Sequence, residues 1–359
     1  MIRVGVIGCG KMADQHAVQI RRIAGAEIVG VCDSEPLMAR QMSNRFGVGR
    51  HFTDPREMLA AVRPDVVHIT TPPASHFPLG MMCLEAGCHV YVEKPFTVDT
   101  PEAVELIGLA ERKGLNITAG HNAQFTHAML RMRELVRNGY LGGKPVHMES
   151  HYCYEFGDAG YAQALLGDRG HWARKLPGSL LQNIISHGIS KIAEFLPGDK
   201  PTVIAQGFTS PFLKGIGQGD ITDEVRVIIR DEDSTTAYFT FSSRIRPVPH
   251  QFRLYGPKRS LIVDDDHQMV IKTDDAEYKS YLRYFVPPFE YAKQYAGNFT
   301  RNFRKFMRND FHMPNDAALK VLIESFYNAI AGKAPLPLSY REILLTSRIM
   351  DDIFTQIKH

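Results

Sequence analysis

With one tryptophan, five cysteines and no apolar run near the roughly 20 residues of a bilayer-spanning helix, this 359-residue chain rules out several classes at once. The cysteines (Cys9, Cys32, Cys83, Cys88, Cys153) are scattered without CxxC spacing, which excludes a disulfide framework and a clustered zinc site. Buried thiols in a reducing compartment are expected. The opening stretch MIRVGVIG passes straight into a strand pattern, with no charged leader and no cleavage site, so the expected location is the cytoplasm. Charge of one sign is lacking too: 42 basic against 39 acidic side chains leave a formal +3. That balance predicts no nucleic-acid partner and no membrane-surface partner. The basic clusters at Arg131, Arg133 and Arg137 and at Arg301, Arg304, Lys305 and Arg308 read as solvated helix faces. There is no HExxH, no repeat and no low-complexity segment, and no metal site is expected.

What is present falls into two patterns. Up to about residue 120, short apolar strands alternate with helical stretches: RVGVIG, EIVGVCD, DVVHITT, HVYVEK and NITAG, each but the last followed by a helix. This spacing predicts parallel strands with right-handed crossovers, and continuously apolar strands predict a sheet covered on both faces. From about residue 145, strands follow one another directly: PVHMESHYCYEF, EVRVIIR, TTAYFTFSS, QFRLYG, RSLIVDD and QMVIK, parted by turns at DEDS (231–234) and GPKRS. The expected fold is an α/β Rossmann domain (1–121) followed by an α+β domain (122–359) with a mostly antiparallel open sheet. One helix is expected over 178–196, and two long ones near the end that either stay with the second domain or return to the first.

Gly8, Gly10 and Ala13 form GxGxxA between the first strand and the first helix. Missing side chains allow a tight turn and close approach of a pyrophosphate, which the helix N-terminus then attracts. Asp33 ends the second strand, where a carboxylate accepts adenosine-ribose hydroxyls. It repels a 2′-phosphate, and neither Ser34 nor Glu35 would bind one, so NAD is favoured over NADP. The expected contact set is Gly8, Cys9, Gly10, Lys11, Met12, Asp33 and Ser34, with Thr70, Thr71 and Pro72 after the third strand. Lys11 is either a pyrophosphate contact or an exposed lysine at a helix start. His76 is either a ligand contact or a cap on the next helix.

HVYVEKPF places Glu93 and Lys94 at the carboxyl end of a parallel strand, where such sheets bind ligands, and Pro95 fixes the backbone behind them. Together with GxGxxA, TPPASH and a later helix bearing His187, this resembles the Gfo/Idh/MocA oxidoreductases, the glucose–fructose oxidoreductase and inositol dehydrogenase group. The resemblance covers nearly the whole chain. It implies that Lys94 contacts the nicotinamide ribose and the substrate hydroxyl. It also implies a motif GGxxxDxxxH, which LPGSLLQNIISHGISK matches with Gly178 and Ser179 at the glycines, Asn183 at the acid and His187 at the histidine.

Asn183 orients a hydroxyl but cannot act as a base, so proton transfer falls to His187, unless that histidine is a satisfied core residue. By the same resemblance Asn122 lies near the cofactor, Trp172 near the cofactor or in the core, and Gln124 on the substrate side, where Tyr152 and Arg174 are further candidates. The expected activity is NAD-dependent hydride transfer from a secondary alcohol of a sugar, cyclitol or sugar derivative held between the nicotinamide and the second domain's sheet. Two alternatives stand beside it: a non-redox sugar enzyme using transient oxidation, and a dinucleotide-binding sensor. The open sheet predicts a homodimer or homotetramer.

Overall fold

Apolar β-branched strands alternate with helices whose ends are chemically marked. Asp54 and Asp99 cap two helices with their side chains, proline opens several, and Gly47 and Gly114 end two in left-handed conformation. The computed structural model describes residues 1–231, 235–274, 276–308 and 314–357. They fall into two compact units, Met1–Asn122 with Leu319–Asp351, and Ala123–Ala318 with Asp352–His359.

In the first unit, strands β1 (Ile2–Ile7), β2 (Ala26–Cys32), β3 (His51–Phe52), β4 (Val66–Ile69), β5 (His89–Val92) and β6 (Ile117–Ala119) form a parallel sheet. Its order is β3-β2-β1-β4-β5-β6. The crossovers carry α1 (Lys11–Ile20), α2 (Pro36–Phe46), α3 (Pro55–Val62), α4 (His76–Glu85) and α5 (Thr100–Lys113). The chain winds one way from β1 to β3 and the other way from β4 to β6. The crevice at the carboxyl ends of β1 and β4 is therefore the switch point where such sheets take ligands.

The second unit holds α6 (His127–Arg137), β7 (His147–Tyr152), α7 (Ala159–Leu166), α8 (Ser179–Ile184), α9 (Ser186–Phe195), β8 (Thr202–Phe208) and α10 (Pro211–Gly215). It continues with β9 (Glu224–Arg230), β10 (Thr236–Ser242), β11 (His250–Tyr255), β12 (Arg259–Asp264), β13 (Met269–Asp274) and α11 (Val286–Met307). Helices α12 (Pro314–Ile330) and α13 (Tyr340–Ile357) follow, and their residues 319–351 cluster with the first unit. The seven strands are ordered β13-β12-β11-β7-β10-β9-β8. All neighbours are antiparallel except β7 and β10.

The structure departs from the sequence reading at several elements. The strands β3 and β8 were not foreseen. The single helix expected over 178–196 is two, α8 and α9, meeting at Ile185. Ile185 keeps right-handed dihedral angles (φ −71°, ψ −16°), so Asn183 and His187 still stand about one turn apart. The turn expected at 231–234 lies, beyond Asp231, outside the described residues.

Candidate active site

In the first unit, a cavity of about 490 Å³ opens at the switch point. Gly8 and Gly10 line it, with Asp33, Ser34, Thr70, Thr71 and Pro72, and Pro78, Leu79 and Met82 supply an apolar wall. Gly8 has φ +90°, and a Cβ there would stand 2.8 Å from the Thr71 Cγ2, so only glycine fits the turn. At Gly10 a Cβ would meet nothing within 4 Å, so this stretch of backbone is bare to whatever occupies the cleft. Gly10 starts α1 with no side chain capping it, which leaves the first helical N–H groups for an anion. The Asp33 carboxylate accepts from the N–H of Cys9 (2.7 Å) and of Glu35 (2.9 Å), which fixes it at the rim with lone pairs to spare. Glycine turn, free helix start and fixed carboxylate fit a dinucleotide.

The neighbouring loops are tied to this frame. The Thr70 hydroxyl donates to the carbonyls of Ile7 (3.1 Å) and Gly8 (2.9 Å), and Ser75 donates to the Thr71 hydroxyl (2.6 Å). His76 is buried, with Nδ1 2.8 Å from the Pro95 carbonyl and Nε2 2.9 Å from that of Thr71. It therefore clamps the TPP loop to the EKP loop, whose Lys94–Pro95 bond is cis. Burial holds the imidazole below its ordinary pKa, although both carbonyls oppose the shift.

Behind Lys94 runs a buried chain of polar groups. His16 Nε2 lies 2.9 Å from a Glu93 oxygen, His16 Nδ1 lies 2.8 Å from His68 Nδ1, and His68 Nε2 lies 2.9 Å from the Tyr327 hydroxyl. A carboxylate only accepts, so with one proton on each ring the bonds run in one direction, from Tyr327 through His68 and His16 to Glu93. Burial lowers the His68 pKa, in keeping with a neutral ring. Burial pushes Glu93 up, but His16 and Lys94 more than offset this and hold it below the usual carboxylate value. Lys94 itself is pulled below the ordinary ammonium value by burial, against the opposing charge of Glu93. A lysine in that state gives up its proton more readily than one in water.

In the second unit, α9 carries His187 along β7. Tyr152, the last residue of β7, packs against the His187 ring at 5.1 Å between centroids, tilted by 37°, and meets His250 edge-on at 4.8 Å. Gly188 makes this approach possible: a Cβ there would stand 2.4 Å from the Phe239 ring and 2.9 Å from the Tyr152 Cβ. Ser150 reinforces the contact by donating to the Gly188 carbonyl (3.0 Å). One turn on, the buried Lys191 pairs with Asp265, which also accepts from Thr126 (2.8 Å). The position of His187 is thus set by packing and by a buried ion pair. Ser179, which stands at a glycine of the motif, has φ +47°.

With that geometry described, the comparisons with known proteins decide the family. The model of the oxidoreductase family with an NAD-binding Rossmann fold matches residues 2–121, and that of the GFO/IDH/MocA C-terminal domain matches 129–262. The chain belongs to the Gfo/Idh/MocA oxidoreductases. It is 37% identical over 142 residues to the D-glucoside 3-dehydrogenase of Escherichia coli, covering 39% of this chain and 40% of that one. With the myo-inositol 2-dehydrogenase of Thermotoga maritima it shares 20% over 309 residues, 86% and 88% of the two chains. Among solved structures it resembles the WlbA dehydrogenase from Bordetella pertussis, in complex with NADH and UDP-GlcNAcA, with a TM-score of 0.77, 17% identity and coverage of 99% and 95%.

Of the residues singled out in this Gfo/Idh/MocA chain, Gly8, Gly10, Asp33, Ser34, Thr70, Thr71 and Pro72 line one cavity. Cys9 contributes its backbone N–H, while its thiol is buried against the Cys32 carbonyl and pushed up to about 12 by burial. Lys11 is exposed, Met12 and Asn122 are half-buried, and Glu93 is buried in the histidine chain. Gln124 donates to Glu194 (3.0 Å), which also pairs with Arg133. Arg174 binds the Leu166 carbonyl, Gln218 and Asp220. Trp172 lies half-buried in a short 3-10 turn beside His171. The sequence reading missed His16, His68, Gly188, Lys191 and Tyr327. Only a histidine in the apolar face of α1 and another within the apolar strand β4 hinted at the first two. No group of metal-ligating side chains, and no helix long and apolar enough to cross a membrane, occurs among the described residues.

Proposed function

We propose that this protein is an NAD-dependent dehydrogenase acting on a secondary alcohol of a sugar, cyclitol or sugar derivative. The observation that carries the reading is the cleft at the switch point, where a fixed Asp33 carboxylate faces a glycine turn and a free helix start. Asp33 supports NAD over NADP, because a second negative charge there meets the carboxylate. Bound NAD supplies the hydride acceptor, and the rest is the work of the chain. Lys94, with its lowered pKa, holds its ammonium against the substrate oxygen as negative charge develops there. His187 takes the hydroxyl proton, and Asn183 orients the hydroxyl through its amide. Tyr152 fixes the plane of the His187 ring and lies on the substrate side. The relatives named above act on sugar or cyclitol hydroxyls by their names, which supports the substrate class.

The same reading places the protein in the cytoplasm as a homodimer or homotetramer formed through the open sheet. Ile204, Phe208, Ile228 and Tyr238 are exposed on β8, β9 and β10. The test is NADH formation across a panel of inositols, aldoses, glucosides and nucleotide sugars, with Lys94→Ala and His187→Ala beside the wild type. Turnover abolished in both variants, with NAD still bound by both, is the expected result. Tight NAD binding with no turnover on any panel member would overturn the dehydrogenase reading.

A further inference from the structure

The long helix α11 is built inside out. Its only buried residue is the polar Asn298. The Asn298 amide donates to the Val270 carbonyl (3.1 Å) and accepts from the Val270 N–H (3.3 Å). One turn earlier, Gln294 does the same with Lys272, at 3.0 and 2.7 Å. Two side-chain amides thus take the place of a neighbouring strand along β13, the edge of the sheet, and satisfy backbone groups that an exposed edge would offer to other chains. The apolar side of the helix points the other way. Phe289, Ala292, Ala296, Phe299, Phe303 and Phe306 follow one another at intervals of three and four, the repeat of a coiled-coil seam. The four phenylalanines are 52–69% exposed, and Phe299 and Phe303 already stack on each other at 6.0 Å.

We propose that this seam is the contact surface for α11 of a second copy of the chain, packed antiparallel across a two-fold axis. The order of large and small residues supports a copy of itself as the occupant. In the centred antiparallel register, Phe299 of one helix meets Ala296 of the second copy, Phe303 meets Ala292, and Phe289 meets Phe306. Each central layer therefore sets one ring against one methyl group, and phenylalanine pairs close the two ends. A two-fold contact requires such self-complementarity, because the same patch serves both sides. The area also suffices. At about 200 Å² per aromatic side chain, the exposed parts of these rings with the flanking Tyr295 and Met307 offer roughly 800 Å² per copy, the size of a standard stable interface. The amide ladder to β13 holds the helix so that this face is presented outward. The contact differs from pairing through the open sheet and does not depend on the reaction catalysed.

Charge at Ala296, beside the two-fold axis, tests it. Light scattering after gel filtration would compare the full-length wild type, Ala296→Glu, Ala296→Lys and an equimolar mixture of the two variants. Far-UV circular dichroism and NAD binding would verify the fold of each. Each variant alone is expected to show half the wild-type mass, with dissociation raised at least about 100-fold by like charges brought together. The mixture is expected to regain the wild-type mass. A wild type that is monomeric, variants that keep the wild-type mass, or a mixture that fails to reassociate would each overturn the proposal. Sedimentation of a monomeric wild type with anionic phospholipid vesicles would do the same and assign the face to a lipid surface.

Discussion

Replacing His16 by leucine removes the ring that links the buried Glu93 carboxylate to His68, at nearly constant volume. Glu93 is 5% exposed, and its carboxylate also accepts from the N–H of Lys94 at 3.2 Å. Stripping one partner from a buried charge costs about 3–5 kcal/mol, and the His68 Nδ1 left without a partner adds about 1–3 kcal/mol. The sum, about 4–8 kcal/mol, is a large part of the 5–15 kcal/mol that typically separates folded from unfolded protein. The loss also depends on pH, and its sign can be worked out. In the wild type, His16 and Lys94 outweigh burial and hold the Glu93 carboxyl below its ordinary value. Its stabilisation is then present above the unfolded pKa and lost as pH falls through the folded one. Without His16, burial gains weight and the carboxyl moves up, so the variant recovers stability by protonation as pH falls.

Urea unfolding followed by far-UV circular dichroism at pH 8 and pH 5.5 measures both effects. The expected gap between wild type and His16→Leu is widest at pH 8 and narrower at pH 5.5. Adding Glu93→Leu should recover most of the loss, because removing both partners leaves no orphaned charge. A gap under about 1 kcal/mol at pH 8, or the same gap at both pH values, would refute the account of this chain of bonds.

Three further outcomes follow from the geometry. Asp33→Ser removes a charged acceptor at the cavity rim and should weaken NAD binding about 10–100-fold while raising the NADP to NAD ratio of kcat/KM; an unchanged ratio would remove Asp33 from cofactor choice. Gly188→Ala drives a methyl group into Phe239 and Tyr152, so α9 must retreat, at about 1–3 kcal/mol of stability and about 100-fold in kcat. Wild-type kcat in that variant would separate His187 from the chemistry. His68, His76 and His121 are all held below their ordinary pKa by burial, His121 to about 4. Their stabilisation is complete above about pH 6.5 and is lost on acidification, by up to about 1.4 kcal/mol per pH unit for His121 and in the same direction for the other two. Urea midpoints measured between pH 7 and 4.5 should fall accordingly, less steeply in His121→Asn, and an identical slope in that variant would contradict the assignment.

The parallel sheet was legible because its strands are apolar throughout and its turns carry their own chemistry, both within a few residues of sequence. The exceptions have physical reasons. Two residues, His51 and Phe52, show no period. In β8, Ile204 and Phe208 face outward while only the smaller Val203, Ala205 and Gly207 face inward, which inverts the size order expected of a half-buried strand. Helix α11 is inverted in the same sense, with an amide side toward the sheet and phenylalanines toward water.

The candidate site divides along the same line. Gly8, Gly10, Asp33 and the TPP loop could be placed because the groups that give them meaning are their neighbours in sequence or close an adjacent crossover. Glu93 could be placed at the end of its strand, but its partners could not, since His16 lies 77 residues away and His68 bonds Tyr327 across 259 more. Gln124 and Arg174 were expected on the substrate side, and the fold engages them with Glu194 and with Gln218 and Asp220. A hydrogen bond between distant segments leaves no period and no motif in either. It becomes visible only when the backbone has brought both ends together. Ser179 makes the converse point. A serine where the motif has glycine reads as a small substitution, yet it sits at φ +47°, a conformation that costs an L-residue about 1–2 kcal/mol. That the chain holds this conformation with a side chain present means the turn before α8 is imposed by its surroundings, with Gly178 packed so closely on Phe354 that a Cβ would stand 2.3 Å from the ring. Local residue choice and tertiary packing disagree at that turn, and packing prevails.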